Sequence, residues 1–215
     1  MTVEVKMADD FEISHPSDVA WVCERVLQSG KRLEHRMPQP LKSAVARAIS
    51  GTLLLKEIPA NDSATIVASQ GRTLIRVEVP TPTVIATRVK KIVGLVGAKF
   101  DGGKISASLM AFTLGQTVLH KVKGPGTIYF ESTSRAVKCI RCSDGVDTSF
   151  DPSAVVCFGA DTEFVITSGR GFWSLFAGNW QLELKKGWVV IDVGAGGGSG
   201  LGIVGLLRRA YIPWS

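Results

Sequence analysis

The sequence predicts a mainly β protein, an antiparallel β-sandwich or barrel that follows a short two-helix N-terminal extension. Two observations support this fold class. From Thr52 onward, apolar residues form short runs with strand-like alternation, and Gly, Pro, Asn or Asp interrupt these runs about every ten residues. Between the runs there is almost no helical periodicity. A parallel sheet with crossover helices is therefore not expected.

Residues 1–51 form the predicted helical extension. A first helix begins at Ser17, which is a good N-cap, and ends at Gly30. A second helix begins at Pro40, a favourable first-turn residue, and ends at Gly51. The apolar residues of each segment recur at helical spacing, so each helix is expected to bury one face.

Residues 52–193 form the predicted β domain, and residues 194–215 form a Gly-rich C-terminal tail. The candidate strands are Thr52–Ile58, Ala64–Ser69, Thr73–Val79, Thr83–Val93, Lys104–Phe112, Thr117–Val122, Thr127–Ser132, Ala136–Arg141, Ala154–Phe158, Glu163–Thr167, Trp180–Lys185 and Trp188–Val193. Strands this short and this numerous are typical of antiparallel folds.

The composition allows one main core in a chain of 215 residues that is 45% hydrophobic and 20% charged. Residues 1–10 lack the apolar segment of a secretory leader. The longest apolar, Gly-rich run, Val193–Leu207, is shorter than the roughly 20 residues that a membrane-spanning helix needs. No transmembrane helix is expected.

The net charge of +6 lies entirely after residue 79, where 15 basic residues face 9 acidic ones, while residues 1–79 carry 10 of each. This excess favours a polyanionic partner such as nucleic acid or acidic lipid. The candidate nucleic-acid-binding residues are Arg88, Lys90, Lys121, Lys123, Arg135, Lys138 and Arg141. Residues two positions apart in a strand share a face. If these strands are neighbours in the sheet, their basic side chains would form a positive patch that binds phosphates. Solvated outer faces of antiparallel sheets explain the same lysines without any ligand.

Aromatic residues cluster between Gly171 and Trp180, and the candidate protein-interface residues are Phe172, Trp173, Phe176 and Trp180. Such a group can bury itself against a partner subunit or fold back onto its own core. It can also stack on nucleic-acid bases.

Two short motifs suggest a cofactor or a metal ion, and neither has the surroundings it needs. Val189–Gly198 is a strand leading into glycines, and a G-x-G-x-x-G follows at 200–205, but the βαβ context is absent. Cys139 and Cys142 have C-x-x-C spacing without a second ligand pair. We therefore predict no cofactor, no metal ion and no small-molecule substrate, and the three dispersed histidines give no sign of catalysis.

Turn and strand patterns recur at Gly124–Ser132, at Asp151–Phe158 followed by Thr162–Thr167, and at Phe172–Gly178. These patterns resemble the family called altered inheritance of mitochondria protein 24, whose bacterial relatives share a fold with the tryptophan RNA-binding attenuation protein. The resemblance covers about residues 104–193. It implies a double-stranded β-helix type of sandwich, no known catalytic residues and a role in mitochondrial organisation. The two helices and the Gly-rich tail depart from that family.

We expect a non-enzymatic scaffold or assembly component that acts through protein–protein contacts or self-assembly in a mitochondrial complex. The alternative is an RNA-associated module of a ribonucleoprotein, which binds phosphates through its basic strand faces. Four cysteines without a secretory leader favour a reducing compartment. The resemblance favours the mitochondrion, and the cytoplasm is the alternative location.

The glycines of the tail distinguish an enzyme from a scaffold. If Gly196, Gly198 and Gly200 serve backbone turns, Gly→Ala at one or more of them lowers the free energy of unfolding by about 1 kcal/mol. Urea denaturation of the three single variants measures this loss. Loss of nucleotide binding in a variant of unchanged stability would instead indicate a cofactor loop.

Overall fold

The computed structural model describes residues 3–15, 18–29, 35–36, 55–79, 83–86, 92–105, 118–144, 149–168 and 180–195. Within these ranges the chain forms nineteen strands and a few 3-10 turns, and none of the described residues is in an α-helix. The strands are β1 Val5–Ala8, β2 Asp10–Ser14, β3 Ala20–Val22, β4 Leu27–Ser29, β5 His35–Arg36, β6 Leu55–Ile58, β7 Ser63–Val67, β8 Thr73–Val79, β9 Thr83–Ala86, β10 Ile92–Val96, β11 Lys99–Ile105, β12 Val118–Lys123, β13 Gly126–Ser132, β14 Val137–Arg141, β15 Ser149–Phe150, β16 Val155–Gly159, β17 Glu163–Ser168, β18 Trp180–Lys186 and β19 Trp188–Asp192. The 3-10 turns lie at Glu24–Val26, Cys142–Asp144, Pro152–Ala154 and Val193–Ala195.

Four antiparallel sheets contain these strands. The largest has seven strands in the order β1-β8-β13-β10-β3-β6-β5, and the second has six in the order β11-β12-β9-β16-β19-β14. Two three-stranded sheets have the orders β2-β7-β4 and β15-β18-β17. Across the described part of the chain, no helix has the length and apolar character needed to cross a membrane.

The central strands carry apolar side chains on both faces. In β19, Trp188 and Val190 point into one core, while Val189 and Ile191 point into another. This follows from strand geometry, because successive side chains project to opposite sides of a sheet. A strand of this kind is buried only if another layer covers each face.

The main core lies between the two large sheets. Val77 and Phe130 from the seven-stranded sheet belong to the same buried cluster as Val122 and Val190 from the six-stranded sheet. All four side chains are inaccessible to solvent. Each such side chain contributes about 1.5–3 kcal/mol through the hydrophobic effect.

Two further cores cover the outer faces of the large sheets. Ile66 of β7 packs in a cluster with Leu74 of β8, so the sheet β2-β7-β4 covers the seven-stranded sheet. Leu182 of β18 packs in a cluster with Val189 of β19, so the sheet β15-β18-β17 covers the six-stranded sheet. The sheets therefore stack in the order three, seven, six and three strands.

The chain passes twice between the large sheets at one corner, from β10 to β11 and from β12 to β13. Gly97 adopts a φ of 65°, which favours glycine. A Cβ added to Gly126 would lie 2.4 Å from the backbone nitrogen of Ala98 and 2.5 Å from the carbonyl oxygen of Val96. The backbones of the two passages are thus in contact. This contact fixes the start of β11 and the end of β12.

The mainly β class predicted from the sequence is confirmed, and the strand predicted at Thr73–Val79 coincides with β8. The helix predicted for Ser17–Gly30 is wrong over the described residues 18–29. That segment forms β3, the 3-10 turn Glu24–Val26 and β4. Pairing of β3 with both β10 and β6 overrides its helical spacing. The helix predicted for Pro40–Gly51 lies outside the described residues, as do the tail glycines from Gly196 onward.

Replacing Gly126 with Ala tests the corner. We expect Gly126→Ala to lower the free energy of unfolding by about 3 kcal/mol, because the new methyl group meets backbone atoms that cannot move aside. Gly71→Ala is the control, because Gly71 has a φ of 73° but open space where a Cβ would lie. We expect this variant to lose only about 1 kcal/mol of its free energy of unfolding. Urea denaturation measures both values. Equal losses of unfolding free energy in the two variants would contradict the close backbone contact at this corner.

Candidate functional site

Lys121 and Lys123 lie where the sequence predicts them, on one face of a strand. Both are exposed on β12, and Val122 between them is buried in the main core. The alternation therefore sends both ammonium groups to the outer face of the six-stranded sheet.

Arg135, Lys138 and Arg141 lie at the other edge of the sheet. Lys138 and Arg141 belong to β14, which three strands separate from β12. With strands about 4.8 Å apart, this places the two groups about 19 Å from each other. They do not form one patch.

Two of these three cations have partners within the protein. An Nη2 of Arg141 donates to the carbonyl oxygen of Val3 at 3.1 Å, which ties the N-terminal residues to β14. Arg135 forms an exposed ion pair with Asp9 at 3.8 Å. Lys138 is exposed on the outer face of the sheet.

The remaining predicted residues lie outside what the structure describes. Arg88, Lys90, Phe172, Trp173 and Phe176 fall in ranges without a described placement. Trp180 begins β18, and only its backbone is described.

Sequence reasoning missed Lys99. In the register of β11 and β12, Lys99 is the direct cross-strand partner of Lys123. The strand predicted at Lys104–Phe112 begins five residues after β11 does, so Lys99 falls outside every predicted strand. The signal that could have found it is the turn at Gly97, after which strand alternation resumes with exposed Lys99 and buried Phe100.

Glu131 on β13 is a buried carboxylate that is surrounded by charged and hydrogen-bonding partners. Its side chain is 0% exposed. Oε1 accepts hydrogen bonds from the backbone nitrogen and the hydroxyl of Ser69, at 2.9 and 2.6 Å. Oε2 forms ion pairs with Arg72 at 3.0 Å and with Arg25 at 3.1 Å.

Two opposing effects act on the pKa of Glu131. Burial raises the pKa, but the hydrogen bonds from Ser69 and the charges of Arg25 and Arg72 outweigh burial and hold it below its usual range. Perturbed carboxylates often mark catalytic sites. Here both oxygens are occupied by groups of the fold itself, so Glu131 joins β13 to the β7–β8 connection and to the first 3-10 turn.

A second buried polar cluster joins the ends of β13 and β19. The hydroxyl of Ser132 donates to Oδ2 of Asp192 and accepts from the backbone nitrogen of Ser134. The hydroxyl of Ser134 accepts from the backbone nitrogens of Ala136 and Gly194, at 3.0 and 3.1 Å. These bonds hold the β13–β14 turn against the end of β19.

The cysteines are all free thiols. Cys157 is fully buried, and burial, followed by the nearby Cys139, raises the pKa of its thiol far above the ordinary value. Cys142 is exposed, and its sulfur donates to the carbonyl oxygen of Lys185 at 3.0 Å. Among the described residues, no three His, Cys, Asp or Glu side chains come together in a group that could hold a metal ion.

Comparison with known proteins supports the architecture alone. No family model matches the sequence, and no curated protein matches it at a significant level. A crystal structure of protein SPYM3_0169 from Streptococcus pyogenes is similar, with a TM-score of 0.55 and 12% sequence identity. The similarity covers 89% of this chain and 93% of that chain. At this identity the likeness concerns the fold.

Replacing Glu131 with Gln tests the buried carboxylate. We expect Glu131→Gln to lower the free energy of unfolding at pH 7 by about 3 kcal/mol, because two arginines lose their countercharge. Since the folded pKa is depressed, this stabilisation is present above the unfolded carboxyl pKa of about 4.3 and is lost as the pH falls through the folded pKa. The difference in the free energy of unfolding between wild type and variant should therefore narrow below about pH 4.

Urea denaturation from pH 7 to pH 3 measures this gap. Glu163→Gln is the control, because Glu163 forms only an exposed ion pair with Lys186 and should change stability by less than about 0.5 kcal/mol. A gap between wild type and Glu131→Gln that stays constant with pH would contradict the electrostatic role.

Proposed function

We propose that the protein is a non-catalytic scaffold or assembly component that acts through protein–protein contacts at exposed strand edges. The single observation that carries this proposal is the unpaired outer edge of β17 among the described strands. This six-residue strand forms the edge of the sheet β15-β18-β17, and no other described strand pairs with its outer side.

The composition of β17 suits it to pairing with another strand. Phe164 and Ile166 pack against the core beneath the sheet, while Val165 between them is 44% exposed. Proteins usually protect an open edge with charged residues, proline or a bulge. A bulge lies between Glu163 and Phe164, but the Val165–Ser168 part of the edge carries no charge. Backbone hydrogen bonding with an added strand is a common mode of protein recognition.

A second edge strand also exposes a large apolar side chain. β1 lies at one edge of the seven-stranded sheet, and its Met7 is 40% exposed. Among the side chains that the structure describes, the large apolar ones that are exposed within strands are those of Met7 and Val165, and both lie on edge strands. Such positions are favourable for contact with another chain.

The sequence resemblance supports the rest of the proposal. The stacked sheets are consistent with a sandwich of the double-stranded β-helix type, and the resemblance suggests assembly within a mitochondrial complex. The cytoplasm remains the alternative location. No catalytic step is proposed.

Replacing Val165 with Lys tests the scaffold function. We expect the wild-type chain of 23.0 kDa to associate as its concentration rises. Val165→Lys should weaken this association about tenfold, because the lysine places a charge in the centre of the edge. Size-exclusion chromatography with light scattering, over a range of concentrations, measures the mass.

Gln181→Lys is the matched control. Gln181 is exposed on the central strand of the same sheet, so the added charge is the same while β17 keeps its own residues; the substitution removes the hydrogen bond that Oε1 of Gln181 accepts from the hydroxyl of Ser149 on β15. A wild-type chain that stays at 23.0 kDa at every concentration and retains no protein from a lysate would contradict the scaffold function.

A further inference from the structure

We infer that Lys99, Lys121 and Lys123 form a phosphate-binding surface that holds the backbone of single-stranded RNA without reading its sequence. We call these three residues the lysine face. The inference is independent of the proposed scaffold function, because the lysine face and the β17 edge lie on different sheets.

The lysine face is compact. Lys99 of β11 and Lys123 of β12 are direct cross-strand partners, so their Cα atoms are about 5 Å apart. Lys121 lies two residues from Lys123 on the same side of β12, which places it about 6.8 Å further along the strand. All three side chains are exposed.

Three of the four other lysines described as exposed have carboxylate partners, and the fourth, Lys138, forms no ion pair with a described carboxylate. Lys6 pairs with Glu4 at 2.7 Å, Lys185 with Glu183 at 2.5 Å and Lys186 with Glu163 at 3.3 Å. By contrast, no carboxylate of the described residues forms an ion pair with Lys99, Lys121 or Lys123. Asp101, in the bulge of β11, is exposed as well and forms no ion pair with them.

The direct pairing of Lys99 with Lys123 has an energetic cost. Like charges at opposed positions of two strands repel each other and destabilise the pair. A phosphate bound between the two ammonium groups removes this repulsion and gains a charge-assisted hydrogen bond from each. The surface therefore favours an anion more than a dispersed set of lysines does.

The backbone beneath the lysine face is rigid. Phe100 and Val122, which alternate with the lysines, are buried in the main core. The corner at which Gly126 contacts Ala98 fixes the adjoining ends of β11 and β12. We therefore expect phosphate binding to cost mainly side-chain freedom.

The arrangement favours an extended polyanion over a membrane. Charges repeat along a strand, as phosphates repeat along a nucleic-acid backbone. Peripheral binding to a bilayer commonly adds apolar side chains that enter the headgroup region. Residues 99–101 and 121–123 are the parts of β11 and β12 whose side chains the structure describes, and none of them is an exposed large apolar residue. Contacts limited to phosphates predict affinity without base preference.

The test uses the full chain and an oligouridylate of about 20 nucleotides with a terminal fluorophore. Anisotropy is measured between about 50 mM and 200 mM salt, where three phosphate contacts give a slope of log affinity against log salt of about −2 and an affinity loss of about 20-fold. An oligoadenylate of the same length should bind equally, within about threefold, because phosphates alone are contacted.

Variants locate the surface. Each single change, Lys99→Gln, Lys121→Gln or Lys123→Gln, should weaken binding about fivefold to tenfold at the lower salt concentration and reduce the slope by about 0.7. The triple Gln variant should lose measurable binding, while the triple Arg variant should retain it. Urea denaturation checks that the variants remain folded, which is expected since all three side chains are exposed.

The matched control removes three lysines elsewhere, in the triple variant Lys138→Gln, Lys185→Gln and Lys186→Gln. It has the same net charge as the triple Gln variant of the lysine face and should bind within about threefold of wild type, because salt screens distant charges. Three results would each overturn the inference: no RNA binding by wild type at the lower salt concentration, an equal loss in the control, or lysine-dependent binding to phosphatidylserine vesicles without RNA binding.

Discussion

Burial of both faces of the two large sheets is the constraint on which the rest of this structure depends. β10, β16 and β19 are buried along their whole length, so neither side of these strands can face water. One core between the large sheets satisfies only half of this requirement. The two three-stranded sheets supply the outer layers, because Ile66 and Leu182 extend from them onto the apolar outer faces. Each small sheet is therefore a necessary part of the fold.

The same constraint explains the buried polar clusters. When a layer covers the outer face of β13, Glu131 loses contact with water, and a buried carboxylate is tolerated only with charged or hydrogen-bonding partners. Ser69, Arg72 and Arg25 provide these, and each comes from a connection between strands. The buried charge thereby ties the first 3-10 turn and the β7–β8 connection to β13.

The sequence predicted most of the strands after Thr52, because alternation and turn residues are local signals, but the predicted strand Thr83–Val93 overlaps both β9 and β10, which belong to different sheets. The prediction failed at Ser17–Gly30, whose apolar residues match helical spacing, because the residues of β3 pair with partners 34 to 76 residues away. Non-local pairing has no local signal. Ser69 and Arg72, which donate hydrogen bonds to Glu131, are 62 and 59 residues away from it in the sequence. No local pattern indicates such distant partners. Lys121 and Lys123 were predictable since one strand presents both, whereas the addition of Lys99 needed the register of β11 with β12.

The order of strands in the large sheets determines when this chain can fold. β9 lies between β12 and β16, so residues 83–86 cannot complete their backbone pairing until residues 118–123 and 155–159 have been synthesised. Likewise, β3 pairs with β10 and β6, both of which are made much later than itself. Such distant pairings require the loop entropy to be lost before any contact compensates for it, which slows folding. During synthesis, the N-terminal strands therefore remain open edges until late, and this is the period in which the chain is most exposed to aggregation.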